Sequence, residues 1–191
     1  EGDNELRDRF YDRVIFPVHN VSGRVVAFGG RTLRTDKKVA KYQNSPESEI
    51  YSKSRELYGL FFAKKAIQQE NQVIMVEGYA DVISMHQAGV ENVVASSGTS
   101  LTEEQIRLVG RFTNNITLMY DGDPAGVKAS MRGVDLILKE GMNVRIVLLP
   151  EEHDPDTFAR AHTSEELRDY IAREAQDFLG FKARLLLGDV T

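Results

Sequence analysis

Short apolar runs alternate with helix-like patterns from residue 72 onward. Each run is mainly aliphatic, which is typical of a buried strand. The predicted strands cover residues 73–77, 92–96, 116–120 and 144–149. Segments with apolar residues at helical spacing follow them, over residues 79–88, 102–113, 124–140 and 164–174. This alternation predicts a parallel sheet flanked by helices, with right-handed crossovers.

The two ends of the chain follow other patterns. The upstream elements are a weak helix over residues 6–13, strands over 14–18 and 24–30, a long polar loop over 31–54 and a helix over about 57–70. The tail, residues 175–191, is amphipathic and is expected to pack on a neighbouring part of the chain. The predicted fold class is therefore α/β: a parallel sheet flanked by helices, preceded by a small mixed α+β subdomain and followed by a short helical tail.

Pairs of acidic residues follow three of the predicted strands. The pairs are Glu77 with Asp81, Asp121 with Asp123, and Asp154 with Asp156. Because the carboxyl ends of parallel strands share one sheet edge, where ligands bind, the six carboxylates are expected to converge. Divalent cations would relieve their repulsion, and oxygen donors without Cys or His suit Mg²⁺ or Mn²⁺. Such ions can activate a 3′-hydroxyl and hold a triphosphate during displacement at phosphorus.

Ordinary helix capping is the alternative interpretation of these acids. Asp123 and Asp154 each precede a proline that opens a helix, which is the N-cap position. Glu77 and Asp81 fit a solvated helix start. Capping and metal binding are compatible because a carboxylate has two oxygens, and three pairs at one edge favour a metal site.

Composition is that of a globular protein. Of the 191 residues, 41% are hydrophobic, 28% are charged and none is cysteine. The lack of cysteine excludes disulfides and thiolate metal sites. With no apolar run of membrane length and no signal-peptide pattern, a cytoplasmic location is expected. The chain does not begin with Met, so we expect it to be a fragment of a longer protein.

The net charge of −5 conceals a basic segment. Residues 24–65 hold ten Lys or Arg and only four Asp or Glu. A basic face beside an acidic one is typical of a protein that handles phosphates with cationic side chains and metal ions.

Other motifs are weaker. The chain has no GxxxxGK[ST] segment, which excludes a P-loop ATPase, and its four histidines lack ligand spacing. Gly98, Thr99 and Ser100 precede a helix and fit a phosphate cradle or a plain loop equally well. The DGD segment is similar to the paired aspartates of haloacid-dehalogenase-like phosphatases, but Ala125 stands where that family has Thr or Val.

Several segments resemble a known family. EGYAD, YDGDPAG and EHDPDT, in this order and spacing, resemble the acidic segments of the Toprim fold, which topoisomerases, some nucleases and recombination proteins also have. Upstream, RFYDRVIFPV, VVAFGGR, KYQNSPES and SKSRELYGL resemble the N-terminal subdomain of bacterial DnaG-type primases. The resemblance implies part of a basic N-terminal subdomain over residues 1–70, a Toprim domain over 71–163 and the start of a C-terminal helical subdomain over 164–191.

The resemblance also implies an activity and a site. The expected activity is that of an RNA polymerase domain that makes short RNA primers on single-stranded DNA, with Glu77, Asp121 and Asp123 as catalytic residues. Mg²⁺ or Mn²⁺ is expected on the full acidic set, Glu77, Asp81, Asp121, Asp123, Asp154 and Asp156. Nucleotide and template are expected on Arg9, Arg13, Arg31, Lys41, Asn44, Lys53 and Arg55. A solvated basic surface is the alternative for these residues, and whether Glu77 is a general base or a ligand stays open.

Partners and missing parts follow from the same resemblance. The expected partners are a single-stranded DNA template, ribonucleoside triphosphates and the RNA–DNA hybrid product, without a membrane. A replicative helicase is expected to bind through a C-terminal domain absent from this chain, and zinc only in an absent N-terminal domain. We expect the fragment alone to be weakly active or inactive. The alternatives are a metal-dependent nuclease or topoisomerase module and a non-catalytic nucleic-acid-binding piece.

Overall fold

Two β-sheets organise the fold. The computed structural model describes residues 8–34, 39–150 and 152–187. The strands are β1 Arg13–His19, β2 Val25–Thr32, β3 Tyr42–Asn44, β4 Val73–Val76, β5 Val93–Ala95, β6 Asn115–Tyr120, β7 Asn143–Leu148 and β8 Gln176–Asp177. The helices are α1 Leu60–Glu70, α2 Tyr79–Gln87, α3 Glu103–Val109, α4 Pro124–Lys139, α5 Pro155–Ala161, α6 Ser164–Glu174 and α7 Phe178–Leu187. Within these residues, no helix has the length and apolar character needed to cross a membrane.

The small sheet is antiparallel, in the order β1-β2-β3. Its first two strands are confirmed close to their predicted bounds. The third strand corrects the prediction of a loop over residues 31–54, because Tyr42 pairs with Arg31 and Gln43 with Gly30. A three-residue polar strand has no alternation by which a sequence pattern can reveal it, and its pairing with β2 is a tertiary contact.

The helix predicted over residues 6–13 is wrong in its described part. Residues 8–12 form turns, and Arg13 already belongs to β1. Asp12 has a φ of 57°, a left-handed conformation that a helix does not contain. Pairing of β1 with β2 therefore overrides the weak local preference.

The large sheet has the order β5-β4-β6-β7-β8. Its first four strands are parallel, as predicted. The tail, predicted to be helical, begins with the short strand β8, in which Gln176 pairs antiparallel with Ile146 of β7. The rest of the described tail forms α7, and Phe181 is buried in the core, which confirms that the tail packs on the domain.

Helix starts follow local capping. Helices α3 and α6 begin with capping boxes, of Thr102 with Gln105 and of Thr163 with Glu166. Helix α1 begins at Leu60 rather than near residue 57, because Gly59 at its N-cap has a φ of 85°. Glycine adopts this left-handed conformation without a steric penalty.

Apolar clusters cover both faces of the large sheet. Ile116 and Leu118 of β6 pack with α1, α3, α4 and α7, whereas Met119 and Val147 pack with α2, α5 and α6. The sheet is thus the middle of three layers. Burial of both faces leaves its carboxyl edge as the place where polar side chains collect.

Tyr79, the first residue of α2, joins the two sheets. Its ring is buried and stacks on Phe16 of β1 with ring centroids 5.0 Å apart. Its hydroxyl donates a 2.8 Å hydrogen bond to Oδ1 of Asn44 in β3. A Cβ on Gly29 would lie 2.5 Å from this ring, so the glycine permits the close approach of β2. The small sheet is therefore fixed beside the carboxyl edge of the large one.

Candidate functional site

A cleft of about 290 Å³ lies between the two sheets at this edge. Five of the predicted acids line it together with three of the predicted nucleotide-binding residues. These eight residues are Glu77, Asp81, Asp121, Asp154, Asp156, Arg31, Lys41 and Asn44. The fold thus brings acidic and basic groups into one cavity.

The end of β4 supplies the first pair of acids. Asp81 is the third residue of α2, and its carboxylate accepts a 2.8 Å hydrogen bond from the backbone N–H of Gly78. Burial, reinforced by the charges of Asp154 and Asp121, raises the pKa of Asp81 to about 6. Glu77 is more exposed, but partial burial and the charges of Asp81 and Asp123 raise the pKa of its carboxyl as well. Both residues are ready acceptors of a cation or a proton.

The end of β6 supplies the second pair. Asp123 is the N-cap of α4 and accepts a 2.7 Å hydrogen bond from the backbone N–H of Gly126. Asp121 lies nearer the sheet, and burial together with Glu77, Asp154 and Asp123 raises its pKa to about 6. A Cβ on Gly126 would lie 2.2 Å from the carbonyl oxygen of Asp121, so the turn between these acids requires glycine.

The start of α5 supplies the third pair. Asp154 is its N-cap and accepts 2.7 Å hydrogen bonds from the backbone N–H and the hydroxyl of Thr157. Burial raises the pKa of Asp154, but the hydrogen bonds from Thr157 outweigh it and the pKa is lowered overall. Asp156 accepts hydrogen bonds from Ser84 and forms an ion pair with Arg160. The capping interpretation therefore holds for Asp123 and Asp154.

A metal site is supported by chemistry more than by preformed geometry. Throughout residues 8–34, 39–150 and 152–187, no group of three or more Asp, Glu or His side chains is arranged to hold a metal ion. The donors are nevertheless all oxygens, as Mg²⁺ and Mn²⁺ prefer. Burial, reinforced by the neighbouring carboxylates, raises the pKa values of Glu77, Asp81 and Asp121, so their ionised forms are disfavoured at this edge. The chemistry of these residues thus fits a divalent ion.

Three predicted nucleotide-binding residues line the opposite wall of the cleft. Arg31 and Lys41 flank Tyr42, with their cationic groups 5.7 and 5.9 Å from the centre of its ring. Asn44 donates from Nδ2 to the backbone oxygen of Ser97, 3.3 Å away. This wall presents two cations opposite the carboxylates, as binding of a phosphate chain would require.

Four other predicted basic residues are not brought into the cleft. The described residues that line the cleft do not include Arg9, Arg13, Lys53 or Arg55. Arg13 instead donates to the backbone oxygens of Gly30, Ala40 and Lys41 at 2.9–3.2 Å, and so holds the segment before β3. Lys37 and Lys38, which contribute to the basic segment, lie outside the described residues.

Sequence reasoning missed Ser97 and Tyr42. Ser97 has a φ of 49°, which is uncommon for a residue other than glycine, and its N–H donates to the backbone oxygen of Glu77 at 3.0 Å. It therefore fixes the backbone at the end of β4 and, through Asn44, that of β3. The residues after it, Gly98 to Ser100, line a neighbouring cleft of about 570 Å³ that shares Glu77 and Asp121 with the first. The sequence fits a phosphate cradle or a plain loop at Gly98 to Ser100, but it does not indicate that Ser97 adopts a left-handed conformation.

Two family models match the chain. Residues 74–159 match a Toprim-like model, and residues 1–64 match the N-terminal domain of the DNA primase catalytic core. The chain belongs to the DnaG-type bacterial DNA primase family. The predicted fold class and family are thereby confirmed, whereas the domain boundaries at residues 70 and 163 stay predictions.

Individual primases are similar over nearly the whole chain. The DNA primase of Halalkalibacterium halodurans is 44% identical over 184 residues, which is 96% of this chain and 30% of that protein. The zinc-binding and RNA polymerase domains of the Aquifex aeolicus primase are 40% identical with a TM-score of 0.89, covering 99% of this chain and 47% of that one. A DnaG primase catalytic domain bound to single-stranded DNA is 39% identical with a TM-score of 0.85, covering 95% and 59%. The chain thus spans about a third of the length of the curated primases that it matches.

Proposed function

We propose that this chain is the catalytic centre of a DNA-directed RNA polymerase that makes short RNA primers on single-stranded DNA. The observation that carries the proposal is the cleft in which Glu77, Asp81 and Asp121 face Arg31 and Lys41. An acidic wall and a cationic wall in one cleft suit a reaction that joins a nucleotide hydroxyl to a triphosphate. Membership of the primase family selects this chemistry from those that the acids alone would allow.

The catalytic residues are Glu77, Asp121 and Asp123. Together with Asp81 and Asp154 they would hold Mg²⁺ or Mn²⁺, which supplies charge neutralisation and a more acidic hydroxyl at the reacting phosphorus. Glu77 lies beside Asp121 in the cleft, where a carboxylate can either bind the ion or accept the proton of the attacking hydroxyl. Asp123, whose carboxylate accepts a hydrogen bond from the N–H of Gly126, lines the neighbouring cleft that shares Glu77 and Asp121.

The opposite wall binds the incoming nucleotide. Arg31 and Lys41 hold the negative charge of the triphosphate, and the amide of Asn44 is fixed between Tyr79 and Ser97 so that the wall keeps its shape. The remaining basic residues, Arg9, Lys53 and Arg55, lie outside the cleft and suit contact with the template strand.

Single-stranded DNA is the proposed template, since a similar catalytic domain is described as bound to it. Ribonucleoside triphosphates and the RNA–DNA hybrid are the other proposed partners at this site. The helicase contact, the zinc site and the cytoplasmic location at the replication fork belong to the proposal for the whole protein.

Primer synthesis by the intact protein on a single-stranded template tests the proposal. Asp121→Ala is expected to reduce the rate by at least about 100-fold, as removal of a transition-state charge contact does. Lys41→Ala is expected to raise the KM for ribonucleoside triphosphates, whereas Lys128→Ala, an exposed cation on α4, leaves synthesis unchanged. Full activity of both site variants would contradict the proposal. Metal-dependent cleavage of plasmid DNA that does not need Lys41 would favour a nuclease or topoisomerase instead.

A further inference from the structure

Asp156 differs from the other five acids in having its charge already matched. Its Oδ1 accepts a 2.5 Å hydrogen bond from the hydroxyl of Ser84 and lies 3.1 Å from Nε of Arg160. Its Oδ2 accepts a second hydrogen bond, also of 3.1 Å, from the Arg160 guanidinium. Both carboxylate oxygens are therefore engaged, and the side chain is only 15% exposed.

Asp156 also links the two helices that carry its acidic neighbours. The hydroxyl of Ser84 comes from α2, which begins beside Glu77, whereas Asp156 is in the first turn of α5, two residues after Asp154. The backbone N–H of Asp156 lies close enough to the carboxyl of Asp81 to favour its ionised form and lower its pKa, against the larger effect of burial. Val82, Met85, Phe158 and Ala159 complete the contact between the helices with an apolar cluster.

We propose that Asp156 is a positioning residue which, held by Ser84 and Arg160, fixes Asp81 and Asp154 at the metal site without binding the metal itself. This inference rests on the proposed function only for the presence of a metal at the other acids. Ser84 and Arg160 thereby gain a role that their sequence positions do not suggest.

The charge arrangement favours this role over that of a ligand. The Arg160 guanidinium donates one hydrogen bond to Asp156 and lies 3.1 Å from its other carboxylate oxygen, and such a charge-assisted pair is stronger than neutral hydrogen bonds. A divalent ion on Asp156 would have to displace this cation or lie next to it. Asp81, Asp121 and Asp123 have no such competitor among the contacts described for their side chains. A divalent ion can therefore bind those three carboxylates without displacing a cation.

Mn²⁺ affinity of the intact protein, measured by electron paramagnetic resonance, separates positioning from ligation. Asp156→Asn keeps an acceptor for Ser84 and is expected to bind Mn²⁺ within about threefold of the wild type. Asp156→Ala keeps no acceptor for Ser84, so Asp81 and Asp154 are no longer held in place. It is expected to weaken Mn²⁺ binding about tenfold, as loss of a supporting contact around a metal does. Asp121→Asn, which changes a proposed ligand, serves as the reference for direct loss. Equal losses in Asp156→Asn and Asp121→Asn would overturn the proposal.

A second measurement tests Ser84 without any metal. Ser84→Thr and Ser84→Val have the same shape, and only threonine keeps the hydroxyl. The valine variant is expected to melt about 2–4 °C below the threonine variant, the shift that one lost hydrogen bond gives in a protein of this size. The difference should vanish when Asp156 is alanine. Equal melting of the two variants beside an intact Asp156 would overturn the role of Ser84.

The two measurements distinguish this proposal from the proposed function. Absence of Mn²⁺ binding in the wild type would count against metal-assisted primer synthesis. The threonine and valine comparison would still decide whether Ser84 holds Asp156, because it depends on folding alone.

Discussion

Removing the charge of Asp121 should stabilise the metal-free protein. Asp121 is partly buried and faces Glu77, Asp154 and Asp123 across the cleft, so its ionisation is unfavourable in the folded state. Asparagine has nearly the same shape and no charge. Asp121→Asn is therefore expected to raise the free energy of unfolding while abolishing the proposed activity, a trade common at active sites.

The magnitude follows from the pKa of Asp121, which rises from 3.8 to about 6 on folding. At about 1.4 kcal/mol for each pH unit, the full shift corresponds to ~3 kcal/mol. Asp121 is not fully buried, and solvent screening reduces the expected gain to about 1 kcal/mol. That corresponds to an increase in melting temperature of about 2–4 °C.

The effect should depend on pH in one direction. Below about pH 4, Asp121 is protonated in both the folded and the unfolded state, so its substitution changes little. As pH rises, the unfolded state loses this proton first, and the folded wild type is progressively destabilised until about pH 6. The gap between Asp121→Asn and wild type is therefore expected to open between pH 4 and 6 and to stay constant above.

Urea unfolding in EDTA, at pH 4, 5 and 8, measures this gap. Asp135→Asn, at an exposed position on α4, is the matched control and is expected to track the wild type at every pH. A destabilised Asp121→Asn protein at pH 8, or a gap of the same size at pH 4 and pH 8, would refute the reasoning from charge repulsion.

Three further changes test other contacts. Tyr79→Phe removes the hydrogen bond to Asn44 and should cost about 1 kcal/mol in urea unfolding; unchanged stability would contradict its role between the sheets. Gly126→Ala places a Cβ 2.2 Å from a backbone oxygen and should destabilise the protein by about 1–3 kcal/mol, measured as a lower melting temperature. An unchanged melting temperature would contradict the requirement for glycine in this turn. Arg55→Ala should make the slope of log affinity against log salt for single-stranded DNA shallower by about 0.7, and an identical slope would exclude Arg55 from contact with the template phosphates.

The pattern of the chain predicts the large sheet and its acids well. Val73 to Val76 and the runs like it are apolar because both sheet faces are covered, and such runs are visible in one sequence. Parallel strands bring their carboxyl ends to one edge, so the grouping of Glu77 with Asp121 follows from order alone. The spacing of acids before Pro124 and Pro155 likewise predicts the caps that the structure contains.

Contacts between distant segments could not be predicted in the same way. Arg13 is a basic residue in a basic region, and only the fold shows that it is occupied by backbone oxygens up to 28 residues away. Ser84 and Asp156 are separated by 72 residues, and neither position has a pattern that indicates the other. The strand at Tyr42 depends on pairing with β2, for which its three residues carry no alternation.

Tyr79 has a consequence for which molecules the cleft can accept. It follows Glu77 by two residues, and it contacts both Phe16 and Asn44 in the small sheet. The buried ring of Tyr79 therefore sets the distance between the cationic wall and the carboxylates. A ligand that contacts both walls must match this distance. A chain of phosphates that is too short to reach across would lose its contact with one of the two walls.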